Sequence, residues 1–252
     1  MDNLSVIVIT RNRLKKLKRC VGSVRKKLSG AEIIIIVDNN PSDEVRQYLD
    51  NNPEILHIYV KESLNVAGAR NVGIKNARND FIMFLDDDAW LEKLDWEEME
   101  RYFFEHSEVG IVVPKIFYPD GRLQESIRSF PTIPFVLWRG FGIYKIIPNA
   151  PWYRNLIHHN DLEIHLVDWG IGACQIVRKE VFKTVGQLDT KLFAYEDADL
   201  CRRARNSGFL TIYWPNARVY HEYSRLSSRG INMRFFRHIK SIFRFFLKSK
   251  FH

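Results

Sequence analysis

Short apolar segments alternate along the chain with longer segments in which apolar residues recur every three or four positions. The β-branched runs Ser5–Thr10, Glu32–Val37 and Ile55–Val60 predict buried strands. Helices are predicted over residues 14–24, over 43–51 and from Asn65 onward. Strands that alternate with helices at this spacing predict an α/β fold with a single doubly wound, mostly parallel sheet.

A fourth predicted strand, Phe81–Leu85, ends in three consecutive carboxylates, Asp86, Asp87 and Asp88. Adjacent carboxylates repel one another strongly in a partly buried site, so we expect a positive partner between them. A hard divalent cation with oxygen ligands would supply it, and Mg²⁺ or Mn²⁺ typically binds together with phosphate. A solvated acidic turn after the strand is the alternative.

Polar residues stand at the carboxyl ends of three predicted strands, namely Thr10, Asp38 and Asp86. In doubly wound sheets, ligands bind beyond the carboxyl ends of the strands. The pattern therefore predicts a ligand site at this edge.

Seven short motifs follow one another along the chain, each at a predicted strand end or helix start. They are Val6–Arg13, Val37–Asn39, Asn65–Asn71, Leu85–Asp88, Gly170–Ala173, Tyr195–Leu200 and Val219–His221. Together they resemble the motifs of the inverting glycosyltransferases of family 2, which have the GT-A fold. The resemblance implies a glycosyltransferase domain over residues 1–222, with a nucleotide-sugar-binding half (1–115) and an acceptor-binding, catalytic half (116–222).

The resemblance also implies how a nucleotide-sugar donor would be held. The implied ligands of Mg²⁺ or Mn²⁺ are Asp86, Asp88 and His221, where Asp86 and Asp88 are the ends of a D-x-D motif. The implied donor contacts are Thr10, Arg11, Asn12, Asp38, Asn65, Arg70, Asp86 and Asp87. Asp38 would accept a hydrogen bond from the base, and Arg70 would pair with the diphosphate. A structural role for His221 and a turn-capping role for Asp38 are the alternatives.

Inversion at the anomeric carbon needs one general base for the acceptor hydroxyl. By position in the family motif, the base is Asp197, and Glu196 orients the acceptor. The alternative is that these carboxylates lie in the first turn of a helix, where their negative charge interacts favourably with the helix dipole. Trp169 and Gly170 are expected to line the acceptor pocket, although a core tryptophan is nearly as good an interpretation.

The segment Gly121–Thr132 is similar to a segment of rhamnosyltransferases of bacterial cell-surface polysaccharide assembly. This similarity implies a dTDP-rhamnose donor and a glycan or polyprenyl-diphosphate-linked acceptor, while UDP-galactofuranose and UDP-hexose donors remain open. A nucleotidyltransferase is a further alternative, but the loop Thr10–Arg13 lacks the glycines typical of that class. A non-catalytic membrane-surface adaptor is another. Residues 116–165, rich in proline and aromatic residues, are expected to form an insert of loops and short helices.

The formal net charge of +8 is concentrated at the C-terminal end. Residues 223–252 hold eight Lys and Arg and no acidic residue, while all 30 Asp and Glu precede them. A basic tail, rather than a basic groove across the fold, argues against a nucleic-acid partner. Three widely spaced cysteines (Cys20, Cys174 and Cys201) favour a reducing cytosol over a disulfide framework.

Residues 232–250 predict a basic amphipathic helix. Its apolar face holds Phe235, Phe236, Ile239, Ile242, Phe243, Phe246 and Leu247, and its basic face holds Arg234, Arg237, Lys240, Arg244 and Lys248. Phe245 alone breaks the division. Such a helix favours peripheral attachment to an anionic membrane, here the cytosolic face. Packing on the domain core or on a second copy of the chain, which would make a homo-oligomer, is the alternative.

Overall fold

The computed structural model describes residues 3–61, 64–132, 162–222 and 233–249. The strands are β1 (Leu4–Thr10), β2 (Glu32–Asp38), β3 (Leu56–Val60), β4 (Phe81–Asp86), β5 (Ala89–Lys93), β6 (Val109–Phe117), β7 (Ile127–Arg128), β8 (His165–Leu166), β9 (Trp169–Gly170), β10 (Cys174–Arg178) and β11 (Leu210–His221). The helices are α1 (Leu14–Lys27), α2 (Asp43–Asp50), α3 (Val66–Asn76), α4 (Trp96–Glu105), α5 (Lys179–Val185), α6 (Glu196–Asn206) and α7 (Met233–Ser249). The aromatic part of the predicted insert, residues 133–161, lies outside the described residues.

Nine strands form the main sheet in the order β3-β2-β1-β4-β10-β6-β11-β5, with β8 beside β11. The first four strands are all parallel, and β6 and β11 run in the same direction as they do. Strand β10 is antiparallel to both of its neighbours. The predicted α/β class with a mostly parallel sheet is therefore confirmed, with antiparallel strands inserted in its second half.

Alternate residues of β1 pack on opposite sides of this sheet. Val6 and Val8 belong to a core cluster with residues of α1, α2 and α4, whereas Ile7 belongs to a second cluster with residues of α3, α5 and α6. Helices thus cover both faces, which explains why the strands are apolar throughout rather than alternating with polar residues.

Parallel pairing brings three strand ends to one edge of the sheet. Thr10 of β1 pairs in register with Val37 of β2, and Ile9 pairs with Asp86 of β4. The residues that follow these strands are therefore neighbours in space, as the sequence predicts.

Helix α7 packs on the domain through the residue that breaks its amphipathic pattern. Phe245 is 2% exposed, whereas Phe243 and Leu247 are 66% and 60% exposed. Packing on the domain core, one of the two alternatives for this helix, is what the structure shows for its inner side. The side chains of Phe235, Phe236 and Ile239 lie outside the described residues. Across the described residues, no helix combines the length and the apolar character that a membrane crossing requires.

Candidate active site

Two carboxylates and one imidazole converge at the carboxyl edge of the sheet. Each of Asp86, Asp88 and His221 offers a ligand atom, and these atoms all lie within 4.8 Å of one another. His221 comes from the far end of β11, where it pairs with Ala89 of β5 and so reaches the turn that follows β4. Its Nε2 lies 3.4 Å from Asp88 Oδ1 and 4.0 Å from Asp86 Oδ2. Carboxylate oxygens suit Mg²⁺ or Mn²⁺, and the three ligand atoms are close enough together to hold one divalent ion.

Gln124 fixes the orientation of the His221 ring. His221 Nδ1 lies 2.9 Å from Gln124 Oε1, and both residues are buried. Since the amide oxygen can only accept, Nδ1–H donates to it, and Nε2 is left facing the carboxylates of Asp86 and Asp88. A hydrogen bond of this kind is typical of metal-binding histidines.

The acidic triplet is balanced by cations from α1 and the loop before it. Arg13 Nη1 lies 3.0 Å from Asp88 Oδ2, and Lys16 Nζ lies 3.4 Å from the same oxygen. Burial would raise the pKa of Asp88, but His221 and these two cations lower it to about 2. The expected positive partner of the triplet thus includes protein side chains, which keep Asp88 ionised.

The first loop is held mainly by Asp87. This carboxylate is 1% exposed, accepts a hydrogen bond from Thr10 Oγ1 at 2.7 Å and pairs with Arg13. Burial, opposed by Arg13 and Thr10, raises the pKa of Asp87 to about 6. Arg11 donates to the carbonyl of Leu64. Asn12 bonds Asn40 and Ser42 across the neighbouring strand end. Donor contacts by these residues remain predictions.

Arg70 connects the cluster of Asp86, Asp88 and His221 to the start of α6. It is 3% exposed, its Nη2 lies 3.1 Å from Asp86 Oδ1, and its Nη1 lies 3.8 Å from Glu196 Oε1. Nη2 also donates to the carbonyl of Gly172 at 2.6 Å. A Cβ at Gly172 would come 2.3 Å from Arg70 Nη1, so glycine is required for this approach.

The predicted base stands at the start of α6 and bonds back to Gly172. Asp197 Oδ2 accepts from the Gly172 amide at 2.9 Å, and Oδ1 accepts from the Ala198 amide at 2.8 Å. Burial is the main cause that raises the pKa of both Glu196 and Asp197, and the neighbouring Asp197 charge raises that of Glu196 further. Tyr195, which precedes them, has the left-handed backbone conformation (φ 67°). Such a conformation is strained for a residue with a side chain and persists only where its surroundings impose it.

The third acid of this helix is structural. Asp199 is fully buried and is bound by Arg203 at 2.8 Å, Arg202 at 3.4 Å and Lys248 at 2.8 Å. The alternative of a merely capping first turn therefore does not describe Asp199, whose role is to join α6 to α7.

The structure describes the side-chain contacts of Asn65 but not the side chain of Asp38. Asn65 caps α3 by accepting from Gly68 N, and its amide donates to the carbonyls of Thr190 and Leu192. Asn65 therefore joins the start of α3 to the segment that precedes α6. Asp38 ends β2, but its side chain lies outside the described part of the structure. Donor binding by both residues remains a prediction.

Trp169 and Gly170 lie in β9, which pairs with β7. Trp169 is 5% exposed, its indole donates to the Ser129 carbonyl at 3.0 Å, and the Arg128 guanidinium lies 5.6 Å from its ring. The smallness of Gly170 serves packing, because a Cβ there would come 2.3 Å from Val113. Acceptor binding by either residue remains a prediction.

Several site residues were missed by the sequence analysis, namely Arg13, Lys16, Gln124 and Arg128. The need for positive charge near the triplet was a signal for Arg13 and Lys16. Gln124 lies 97 positions from His221, and no local pattern marks that contact. The segment 121–132, singled out for its resemblance, thus contacts His221 through Gln124. Burial raises the pKa of Asp197, and the charge of Arg128 acts in the opposite direction.

Comparison with known proteins decides the family. Residues 5–186 match the family model described as glycosyl transferase family 2. The chain belongs to this family. Among curated relatives, a low-salt glycan biosynthesis hexosyltransferase of Haloferax volcanii is 25% identical over 81% of this chain and 62% of its own length. An N-acetylglucosaminyl-diphospho-decaprenol L-rhamnosyltransferase of Mycobacterium tuberculosis is 33% identical over 54% of this chain and 45% of its own length. The chain thus spans less than two thirds of either relative.

Solved structures confirm the GT-A fold for this family member. GalNAc-T7 with UDP, GalNAc and Mn²⁺ superimposes with a TM-score of 0.69 at 17% identity, over 96% of this chain and 48% of that one. TarS residues 1–349 of S. aureus with UDP-GlcNAc gives a TM-score of 0.61 at 17% identity, over 92% of this chain and 62% of that one.

Proposed function

We propose that the protein transfers a sugar, with inversion, from a nucleotide donor to a hydroxyl of a glycan or polyprenyl-diphosphate-linked acceptor in cell-surface glycan assembly. The observation that carries the proposal is the continuous connection from a cluster that could hold a metal ion to the partly buried carboxylate of Asp197. Asp86 contacts Arg70, Arg70 contacts Gly172, and Gly172 contacts Asp197. Donor activation and acceptor deprotonation would therefore occur in one rigid unit.

In this proposal Asp197 is the general base. Its carboxylate takes the proton of the acceptor hydroxyl while that oxygen bonds to the anomeric carbon, and the bond from this carbon to the diphosphate oxygen breaks on the opposite face. The nucleoside diphosphate leaves with the bonding electrons. The backbone N–H groups of Gly172 and Ala198 donate to Asp197 and hold its oxygens in fixed directions. A positioned base typically contributes about 10²–10⁴-fold to the rate.

Asp86, Asp88 and His221 would hold Mg²⁺ or Mn²⁺, which supplies charge neutralisation of the leaving diphosphate. Arg13 and Lys16 keep Asp88 ionised, and Arg70 keeps Asp86 next to a fixed positive charge. These contacts preserve the anionic donor set that a hard divalent cation prefers.

For the donor we propose dTDP-rhamnose. Two observations support it: the rhamnosyltransferase-like segment 121–132 lies against both His221 and Trp169, and a relative 33% identical over about half the chain is an L-rhamnosyltransferase. That relative is named for a decaprenyl-diphosphate-linked acceptor, which supports the acceptor class. The UDP donors stay as the competing outcome, because two structural neighbours were solved with UDP or UDP-GlcNAc.

A panel of dTDP-, UDP- and GDP-sugars with Mn²⁺ or Mg²⁺ tests the reaction. We expect metal-dependent release of nucleoside diphosphate and a product of inverted configuration. Pyrophosphate release would instead indicate a nucleotidyltransferase, and absence of nucleotide binding would indicate an adaptor. A preference for GDP would contradict both the rhamnose donor and the base-binding role of Asp38.

We further propose that α7 holds the protein at the cytosolic face of an anionic membrane. The exposed side of α7 carries Phe243 and Leu247 beside Lys240, while Arg244 and Lys248 are used internally by Asp189. An outward apolar stripe on a basic helix suits the interface between lipid headgroups and acyl chains.

Because α7 also packs on the domain, truncation would disturb both roles, and point substitutions are the cleaner test. The double variant Phe243→Ser, Leu247→Ser should reduce the fraction of the protein that sediments with anionic vesicles. Its rate of transfer to a short soluble acceptor should stay unchanged. Binding should also weaken with rising salt. Unchanged vesicle binding in the double variant would contradict the proposal.

A further inference from the structure

One buried hydroxyl of α7 uses all of its hydrogen-bonding capacity, and two of its bonds go to the segment before the base. Ser241 is 1% exposed. Its Oγ donates to the Arg237 carbonyl at 3.0 Å and lies 2.8 Å from the Phe193 amide and 3.4 Å from the Ala194 amide, both of which donate to it. A hydroxyl has one proton and two lone pairs, so this group is fully satisfied.

The same face of α7 contacts the strained residue that follows this segment. The ring of Phe245 lies 5.9 Å from that of Tyr195, and the Tyr195 ring lies 6.2 Å from that of Trp169. Phe245 is also covered by the Arg202 guanidinium at 3.9 Å, and its carbonyl accepts from Arg202. A left-handed tyrosine needs such surroundings to persist.

Ion pairs fix α7 on both sides of the catalytic turn. Arg244 and Lys248 bind Asp189, which precedes the turn, and Lys248 also binds Asp199, which follows it. Asp189 and Asp199 lie on either side of the turn Phe193–Asp197 in the sequence, and both are bound by α7.

We propose that Ser241 and Phe245 of α7 are positioning residues for the general base. They fix the turn that sets the direction of Asp197, and the C-terminal helix is thereby part of the active site and not a separate tail. This inference rests on the proposed function for the role of Asp197. It predicts a loss of turnover, rather than of donor binding, when the helix contacts are removed.

The test compares Ser241→Ala with wild type in the full-length chain, using the donor sugar found in the panel and a soluble acceptor. We expect kcat to fall about tenfold or more, while the KM for donor and the Mn²⁺-dependent binding of nucleoside diphosphate stay within about twofold. Ser241→Thr, which keeps the hydroxyl, should recover most of the loss. Phe245→Leu should act like Ser241→Ala. Thr184→Ala serves as the matched control, because it removes an exposed hydroxyl that likewise donates to the carbonyl four residues earlier.

Amide hydrogen exchange over residues 193–198 gives a readout that does not depend on activity. Exchange should rise in Ser241→Ala within this segment and stay unchanged in α3. Unchanged exchange there, or unchanged kcat, overturns the inference. An equal loss of kcat, nucleotide binding and melting temperature also overturns it, because the hydroxyl would then only stabilise the fold. If wild type transfers no sugar, the proposed function fails, while hydrogen exchange still decides whether α7 fixes the turn.

Discussion

The contact between Gly172 and Arg70 gives a prediction whose size follows from the structure. In Gly172→Ala, the new Cβ would lie 2.3 Å from Arg70 Nη1 and 3.0 Å from Cζ and Nη2. An ordinary van der Waals contact needs about 3.4 Å or more, so the guanidinium must move by roughly 1 Å. Arg70 is 3% exposed and contacts Asp86, Glu196 and the Phe84 ring, so this movement disturbs the whole junction.

The expected effect on activity is much larger than the effect on stability. A displacement of about 1 Å in a positioning group can cost about 10²-fold in rate. The 2.6 Å bond from Arg70 Nη2 to the Gly172 carbonyl would also stretch toward or beyond hydrogen-bonding range. Overpacking of this kind typically costs about 1–3 kcal/mol, and the moving group is the end of a flexible side chain, so we expect the lower end of that range.

The assay measures kcat, KM for donor and melting temperature for Gly172→Ala against Gly22→Ala. Gly22 lies in α1, and a Cβ added there would meet nothing within 4 Å, so alanine should stabilise the helix slightly and leave activity unchanged. Both variants exchange glycine for alanine, and only one meets Arg70.

A double-mutant cycle with Arg70→Lys isolates the cause. If displacement of the guanidinium explains the loss, adding Gly172→Ala to Arg70→Lys should lower kcat little further. Turnover near wild type in Gly172→Ala, or full additivity of the two losses, would refute the reasoning.

Three further predictions concern the base, the metal and pH. Asp197→Asn should lower kcat by about 10²–10⁴-fold with donor and Mn²⁺ affinity nearly intact, as measured by steady-state kinetics and calorimetry. Glu180→Gln, at an exposed position of α5, is the charge-loss control. Gln124→Leu should weaken Mn²⁺ binding by about 10–100-fold in calorimetry because His221 loses its orienting partner, and unchanged affinity would contradict that role. Since burial raises the pKa of Glu196 and Asp197 above their ordinary values of 4.5 and 3.8, both are protonated at a higher pH than usual. The folded state then binds these protons more tightly than the unfolded chain, so their contribution to stability falls as pH rises. In contrast, kcat should rise with pH as the base ionises. A pH profile of kcat that is flat down to the ordinary carboxyl range would contradict this.

The local pattern of the sequence determined the first half of the sheet. Apolar β-branched runs can only be buried on both faces, and helices of 3.6-residue period between them require parallel strands. The ends of parallel strands lie at one edge, so Thr10 and Asp86 had to be neighbours. The repulsion within the acidic triplet likewise required positive charge, although the sequence did not say which groups supply it.

Only the tertiary structure decided how distant segments complete the site. Gln124 meets His221 because the turn after β6, closed by the antiparallel pairing of Phe117 with Leu123, lies beside the end of β11. Gly172 meets Arg70 because β10 lies antiparallel to β4. Helical periodicity divided α7 into apolar and basic faces, and Phe245 was an exception to that division. Its burial against Tyr195 reflects the shape and charge of the surface that receives the helix, where Asp189 and Asp199 bind the basic side chains. The pattern of a sequence shows how polar each face of a helix is. The surface on which that face packs is set by contacts between residues far apart in the chain.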